Sequence, residues 1–156
     1  MALEVVTVGA KVGYCVETTA GTMPTSGYTL IPDIDQAPDF PYDVDTIEVS
    51  NITDKIKRYV EGQQDPGADK QFSLNHTDAV IAAWETLVTA AETGLALSEE
   101  TWFVYVYPIG NKAWFFKGRP KALGNGGITR NDKSTIPAHV VFTGGGVWDA
   151  KPTFTT

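Results

Sequence analysis

The chain carries two histidines, His76 and His139, and one cysteine, Cys15. These are the side chains best suited to proton transfer or nucleophilic attack. A general base must stand within hydrogen-bond reach of the proton it takes, and a nucleophile needs a base and an orienting partner. His76 falls at the start of a helical pattern and His139 on the polar phase of a strand, while Cys15 alternates in phase with Lys11, Gly13 and Glu17. No spacing joins the three, so no catalytic residue and no enzyme are expected. The acids from Asp33 to Glu48 offer oxygen ligands for a hard cation. They lack Asp-x-Asp-x-Asp-Gly spacing and are interrupted by Pro38 and Pro41, so they read as a solvated face, and neither metal nor cofactor is expected. The glycines at 124–127 and 144–146 complete neither Gly-x-Gly-x-x-Gly nor a phosphate loop and read as turns or joints. The run Trp102 to Tyr107 has the aromatics for base stacking, but its neighbours are not basic, so it reads as core or subunit contact.

The elements that would position these residues are mostly strands. Lys11 to Thr18 alternate apolar and polar, and Tyr28 to Ile31 form a second short strand. Residues 32–43 hold Pro32, Pro38 and Pro41 among acids and read as irregular. Val44 to Ser50 alternate again, and Lys70 to Asn75 place Phe72 and Leu74 inward. Between them, residues 51–69 read as a long hairpin or projecting loop, with turn chemistry from Glu61 to Gly67. Long loops in small domains are usually functional or disordered. One helix is expected. Thr77 caps it, Val80, Ile81, Trp84, Leu87, Val88 and Ala91 follow helical spacing, and Gly94 stops it. The Gly110-Asn111 turn joins strands 101–107 and 114–119 into a hairpin. Residues 136–143 alternate once more, and Gly144-Gly145-Gly146 ends the domain. About eight strands and one flanking helix give a mainly β, α+β chain: a β-sandwich or open barrel spanning 11–146, with arms at 1–10 and 147–156.

Charge is unevenly spread along the 156 residues, whose formal net charge is -7. Residues 1–50 hold eight acids and one base, so the whole imbalance lies there. A basic nucleic-acid footprint is absent, and sequence-specific DNA or RNA binding is not expected. Residues 112–133 are the reverse, with six bases against one acid. Asp33, Asp35, Asp43, Asp45 and Glu48 could therefore meet Lys117, Arg119, Lys121 and Arg130. Pairing within the chain and head-to-tail contact between copies both satisfy that complementarity. The strand 102–107 is apolar on both faces, so one face needs a second cover, such as another subunit. No apolar run is long enough to span a membrane, no signal-peptide pattern opens the chain, and a lone cysteine suits a reducing compartment. Synthesis in a cytoplasm is the expectation.

Several motifs in order carry a resemblance. Ile47-Glu48-Val49-Ser50 precedes the long loop, which closes on Tyr59-Val60-Glu61-Gly62 and then Asp65-Pro66-Gly67. Phe72-Ser73-Leu74-Asn75 leads into the helix, and the aromatic hairpin 102–119 and closing strand 136–143 follow. Over most of residues 10–146 this order resembles the tail tube, or major tail, proteins of long-tailed bacteriophages with non-contractile tails.

The resemblance implies a structural virion protein, made in the host bacterial cytoplasm. It would form hexameric rings that stack into a tube around a tape-measure protein, capped by tail terminator and tail-tip proteins. DNA would pass through the lumen without specific binding. Residues 51–69 would be the ring-stacking loop, with Ile56, Tyr59, Val60 and Asp65 as contacts. Asp33, Asp35, Asp43, Asp45 and Glu48 would face the lumen or a neighbouring subunit, and an acidic lumen would repel phosphate and let DNA slide. A type VI secretion or contractile-tail tube protein shares that architecture and is the alternative. A small-ligand-binding β-barrel is a third reading, and it needs a convergent polar pocket.

Overall fold

The computed structural model describes residues 9–41, 44–64 and 69–155, with residues 44, 45 and 64 described in their backbone alone. Ten strands and one helix run in the order β1 (Lys11–Val16), β2 (Ser26–Leu30), β3 (Ile34–Gln36), β4 (Val44–Glu48), β5 (Tyr59–Gln64), β6 (Asp69–Asn75), α1 (Asp78–Ala96), β7 (Thr101–Val106), β8 (Lys112–Pro120), β9 (Thr135–Ala150) and β10 (Thr153–Phe154). Eight strands form one sheet in the order β10-β2-β1-β7-β8-β9-β6-β3, and β4 pairs only with β5. The large sheet curls into a half-barrel with α1 beside it, which is the mainly β fold that the alternation implies.

The central pair β7 and β8 sets the layout. They run antiparallel, from Trp102↔Lys117 to Val106↔Ala113. Phe103, Tyr105, Trp114 and Phe116 point to one side, where Phe72, Leu74, Ile136, Ala138 and Val140 of β6 and β9 join them. Helix α1 closes this core with Val80, Trp84 and Leu87. Its start is fixed by Thr77, whose hydroxyl accepts the Val80 amide at 3.2 Å, and by Asp78 in the first turn. Gly94 does not stop the helix. It is buried against Val16 inside the last turn, where a Cβ would strike that side chain. Packing, not the C-cap, calls for glycine there.

The proline-rich stretch after β2 is only partly irregular. Ile34–Gln36 pair with β6, and the chain then straps across the concave core. Phe40 inserts among Tyr105, Trp114, Phe116 and Phe142, with ring centroids 4.4–5.9 Å apart. The Tyr105 hydroxyl donates to the Pro38 carbonyl at 3.0 Å, and Lys70 Nζ donates to the Asp39 carbonyl at 2.9 Å.

The other side of β7 and β8 holds a second core of Trp102, Val104, Ala113 and Phe115. Its cover comes from this chain and not from another subunit. Tyr28 of β2 is fully buried on Phe115, and Phe154 of β10 packs beside it. The Phe154 ring lies directly over Gly13, where any side chain would collide with it.

The glycines at 144–146 do not end the sheet. All three take positive φ inside β9, and the register against β8 slips between Phe115 and Phe116 and between Lys117 and Gly118. This is a bulge, which only glycine passes through without strain. Beyond it Trp148 pairs opposite Trp114, with centroids 5.2 Å apart. Residues 147–150 and 153–154 are thus strands of this sheet. Residues 1–8 lie outside the described residues.

The contact between Phe154 and Gly13 gives a test. Gly13→Ala and Phe154→Ala should each destabilise the chain and should couple by about 0.5–3 kcal/mol in a double-mutant cycle. Urea unfolding measures it; strictly additive effects would mean that Phe154 does not rest on Gly13.

Candidate assembly surfaces

The β4–β5 hairpin gathers the residues assigned to the long loop. Ile47 pairs with Val60 and Glu48 with Tyr59, and the Val49 amide donates to the Arg58 carbonyl at 2.9 Å. Glu61 to Gln64, expected as part of a turn, are instead paired in β5, and the turn falls on residues 51–58, a braced tip. One carboxylate does the bracing. Asp54 Oδ2 accepts the Asn51 amide at 2.6 Å and Arg58 Nε at 3.2 Å, and the Arg58 amide donates to Ser50 Oγ at 2.7 Å. Yet the apolar side chains of this ordered hairpin are bare. Ile52 is fully exposed, Ile56 is 80% exposed and Tyr59 56%, and Ile47, Val49 and Val60 are exposed as well. A lone two-stranded hairpin is marginal in water, and a run of exposed apolar side chains marks a contact surface. Asp65 lies outside the described residues.

The five acids do not form one face. Asp33 sits in the turn before β3 with φ +56°, and its carboxylate accepts the Thr77 hydroxyl at 3.4 Å. Asp35 pairs with Lys133 at 2.8 Å. With Asp39 they border a groove of about 760 Å³ floored by Ile31 and Tyr105. Glu48 stands on the hairpin instead, opposite Tyr59. Asp43 lies outside the described residues, and of Asp45 only the backbone, in β4, is described.

Of the four bases, Lys117 is taken up within the chain. It pairs with Glu100 at 2.9 Å and lies 5.6 Å from the Trp102 ring centre. Arg119, Lys121 and Arg130 are exposed and make no ion pair among the described residues. Both readings of the charge complementarity thus keep a footing. Lys117 and Lys133 pair internally, and three bases stay open.

The groups with chemical potential are held apart. The Cys15 thiol faces backbone carbonyls, and burial raises its pKa, which keeps it protonated. His76 Nδ1 lies 2.9 Å from Ser134 Oγ, and His139 Nδ1 lies 2.9 Å from Asp69 Oδ2. Among the described residues no group of three or more His, Cys, Asp or Glu side chains could hold a metal ion, and no helix is long and apolar enough to cross a membrane. A groove of about 580 Å³ runs beside α1, lined by His76, Trp84, Leu123 and Asn125. A smaller cleft of about 140 Å³ opens at the far end of the helix, between Leu95 and Pro120.

One polar site is invisible in the sequence. Glu17 is 2% exposed, at the end of β1. Its carboxylate accepts the amides of Glu100 at 2.8 Å and Gly21 at 3.3 Å and the Trp102 indole at 3.1 Å. Burial pushes its pKa up, but these donors and the nearby Lys117 charge outweigh burial and hold it below the ordinary value. The partner strand lies 83 residues away, so no local pattern could have announced it.

No family model matches the chain, and no curated protein does. Among solved structures, a chain of the anti-feeding prophage (AFP) baseplate, determined by cryo-EM and 6-fold symmetrised, superposes with a TM-score of 0.51. The match covers 92% of this chain and 94% of that chain, at 7% identity. At that identity the likeness is one of fold.

Glu17 sets an expectation for acid. Its lowered pKa adds stability above the unfolded value of about 4.3, and that stability is lost as pH falls through the folded value. Glu17→Gln should cost about 1–3 kcal/mol at pH 7 and flatten the loss of stability below about pH 4. Urea midpoints at pH 7 and pH 3 measure this; an unchanged acid profile would remove Glu17 from that role.

Proposed function

We propose that this chain is a structural virion subunit of a phage-type tail, which forms sixfold rings that stack into a tail tube. The observation that carries the reading is the ordered hairpin 44–64, on which Ile47, Val49, Ile52, Ile56, Tyr59 and Val60 have no cover among the described residues. Such a surface gains free energy when a copy in the next ring buries it. The fold shared with a chain of a 6-fold symmetrised baseplate is consistent with a ring-forming subunit. Heterologous contacts between two different patches close into rings when the rotation permits. In this reading Ile56, Tyr59, Val60 and Asp65 contribute to stacking, and residues 1–10 supply a second bridge.

The protein's role is mechanical and not catalytic. Its partners are further copies of itself, a tape-measure protein inside the tube, and terminator and tail-tip proteins at its ends. DNA passes through a lumen lined by part of the acidic excess, which repels phosphate. The second reading is a subunit of a contractile tail or type VI secretion device, as a tube or baseplate ring. The baseplate source of the similar chain favours it.

Electron microscopy of the purified protein separates these readings. Long tubes of stacked rings support the first, and single rings that never stack support a baseplate role. A strict monomer at high concentration would overturn both. Replacing residues 50–57 by Asn-Gly keeps a turn suited to the hairpin and removes the tip. That variant should fold, with unchanged circular dichroism, and form no tubes; long tubes from it would exclude the tip as the stacking device.

A further inference from the structure

The tip of the hairpin has a sharply defined chemistry. Ile56 is 80% exposed and is flanked by Lys55 and Lys57, both exposed. Neither lysine makes an ion pair among the described residues. Arg58 is already held by Asp54. Ile56 is therefore a bare aliphatic knob between two cations, on the same turn as the bare Ile52, and that turn is held by the Asp54 hydrogen bonds.

The cleft at the C-terminal end of α1 has the opposite character. Ala91, Leu95 and Pro120 give it an apolar lining, and Leu95 is itself exposed. Glu92, Glu99 and Glu100 also line it. Glu100 is paired with Lys117, but Glu92 and Glu99 make no ion pair among the described residues. The helix ends there with no basic residue in its last turn, so the carbonyl end of its dipole adds negative potential. Arg119 lines the cleft as well and is the one cation on it. The cavity of about 140 Å³ takes a single branched aliphatic side chain and little more.

We propose that the Lys55-Ile56-Lys57 tip of one copy seats in this cleft of a second copy, with Ile56 in the apolar cavity and the lysines against Glu92 and Glu99. The match rests on shape and charge together: a knob between two cations meets a cavity with two unpaired carboxylates. Such a contact joins two different patches, so it propagates from copy to copy instead of closing a two-fold dimer. The buried aliphatic anchor supplies most of the affinity. The rim charges supply register and encounter rate, and their part weakens with salt. The inference deepens the tube reading by naming the surface that receives the tip.

The test reads proximity and does not require rings. In a Cys15→Ala background, copies carrying Ile56→Cys are mixed with copies carrying Leu95→Cys and oxidised mildly. The expected product is a disulfide-linked heterodimer, formed about tenfold more than with the control pair Ile128→Cys and Leu95→Cys. Ile128 is fully exposed and lies outside the tip. Adding Glu92→Lys and Glu99→Lys to the Leu95→Cys copy should abolish the preference. Adding Lys55→Glu and Lys57→Glu to the Ile56→Cys copy as well should restore it. Circular dichroism confirms that each variant is folded. Equal cross-linking of the tip and control pairs would overturn the proposal. So would cross-linking only within a chain that carries both cysteines, which would seat the tip on its own cleft. Rings and tubes without this cross-link would leave the tube reading standing and remove the inference. The cross-link without rings or tubes would do the reverse.

Discussion

The constraint on which the structure depends is that β7 and β8 are apolar on both faces. Phe103, Tyr105 and Phe116 face one way, and Trp102, Val104 and Phe115 the other. Each buried aromatic is worth roughly 1.5–3 kcal/mol relative to exposure, so neither face can be left in water. The fold supplies two covers. Helix α1 and the Phe40 strap close the concave side. The second side is closed by Tyr28, Met23 and Phe154, which the outer strands bring over it. The buried Glu17 network ties the end of β1 to β7 at the edge of this second core.

The β4–β5 hairpin breaks the same rule. Its Ile47, Val49, Ile52, Ile56, Tyr59 and Val60 are all exposed among the described residues. Its order comes from its own ladder and from the hydrogen bonds to Asp54. The chain thus separates two tasks. The half-barrel covers both faces of its own central strands, whereas the apolar side chains of the hairpin have no cover among the described residues.

Much of this was legible from local pattern. The alternation in 11–16, the capped helix from Thr77 and the hairpin through Gly110-Asn111 depend on neighbours in sequence, and each was placed correctly. What could not be read depends on residues far apart. Gly94 looked like a helix stop because its packing partner, Val16, is far away in sequence, on β1. The glycines at 144–146 looked like a terminus because a bulge and an end use the same residue. The second face of β7 looked open because Phe154, which helps to cover it, sits in a stretch of only two paired residues. Of the candidate site, a hairpin in this region was visible but its turn was not: Glu61 to Gln64, which look like turn residues, are paired strand, and the turn falls on 51–58. The scattering of the acids was not visible either, since Asp35 pairs with Lys133 and Glu48 stands on a different sheet.

The pairing of β1 with β7, from Lys11↔Val106 to Val16↔Thr101, has a kinetic consequence. The two strands are separated in sequence by everything from β2 to α1, so pairing them closes a long loop that contains the hairpin and the helix. Proteins dominated by such distant pairings reach the native state in milliseconds to seconds. The tip at 51–58 lies within that loop, and its hydrogen bonds among the described residues are local. Side-chain changes there alter no long-range pairing of the large sheet, so they leave in place the contacts on which folding speed depends.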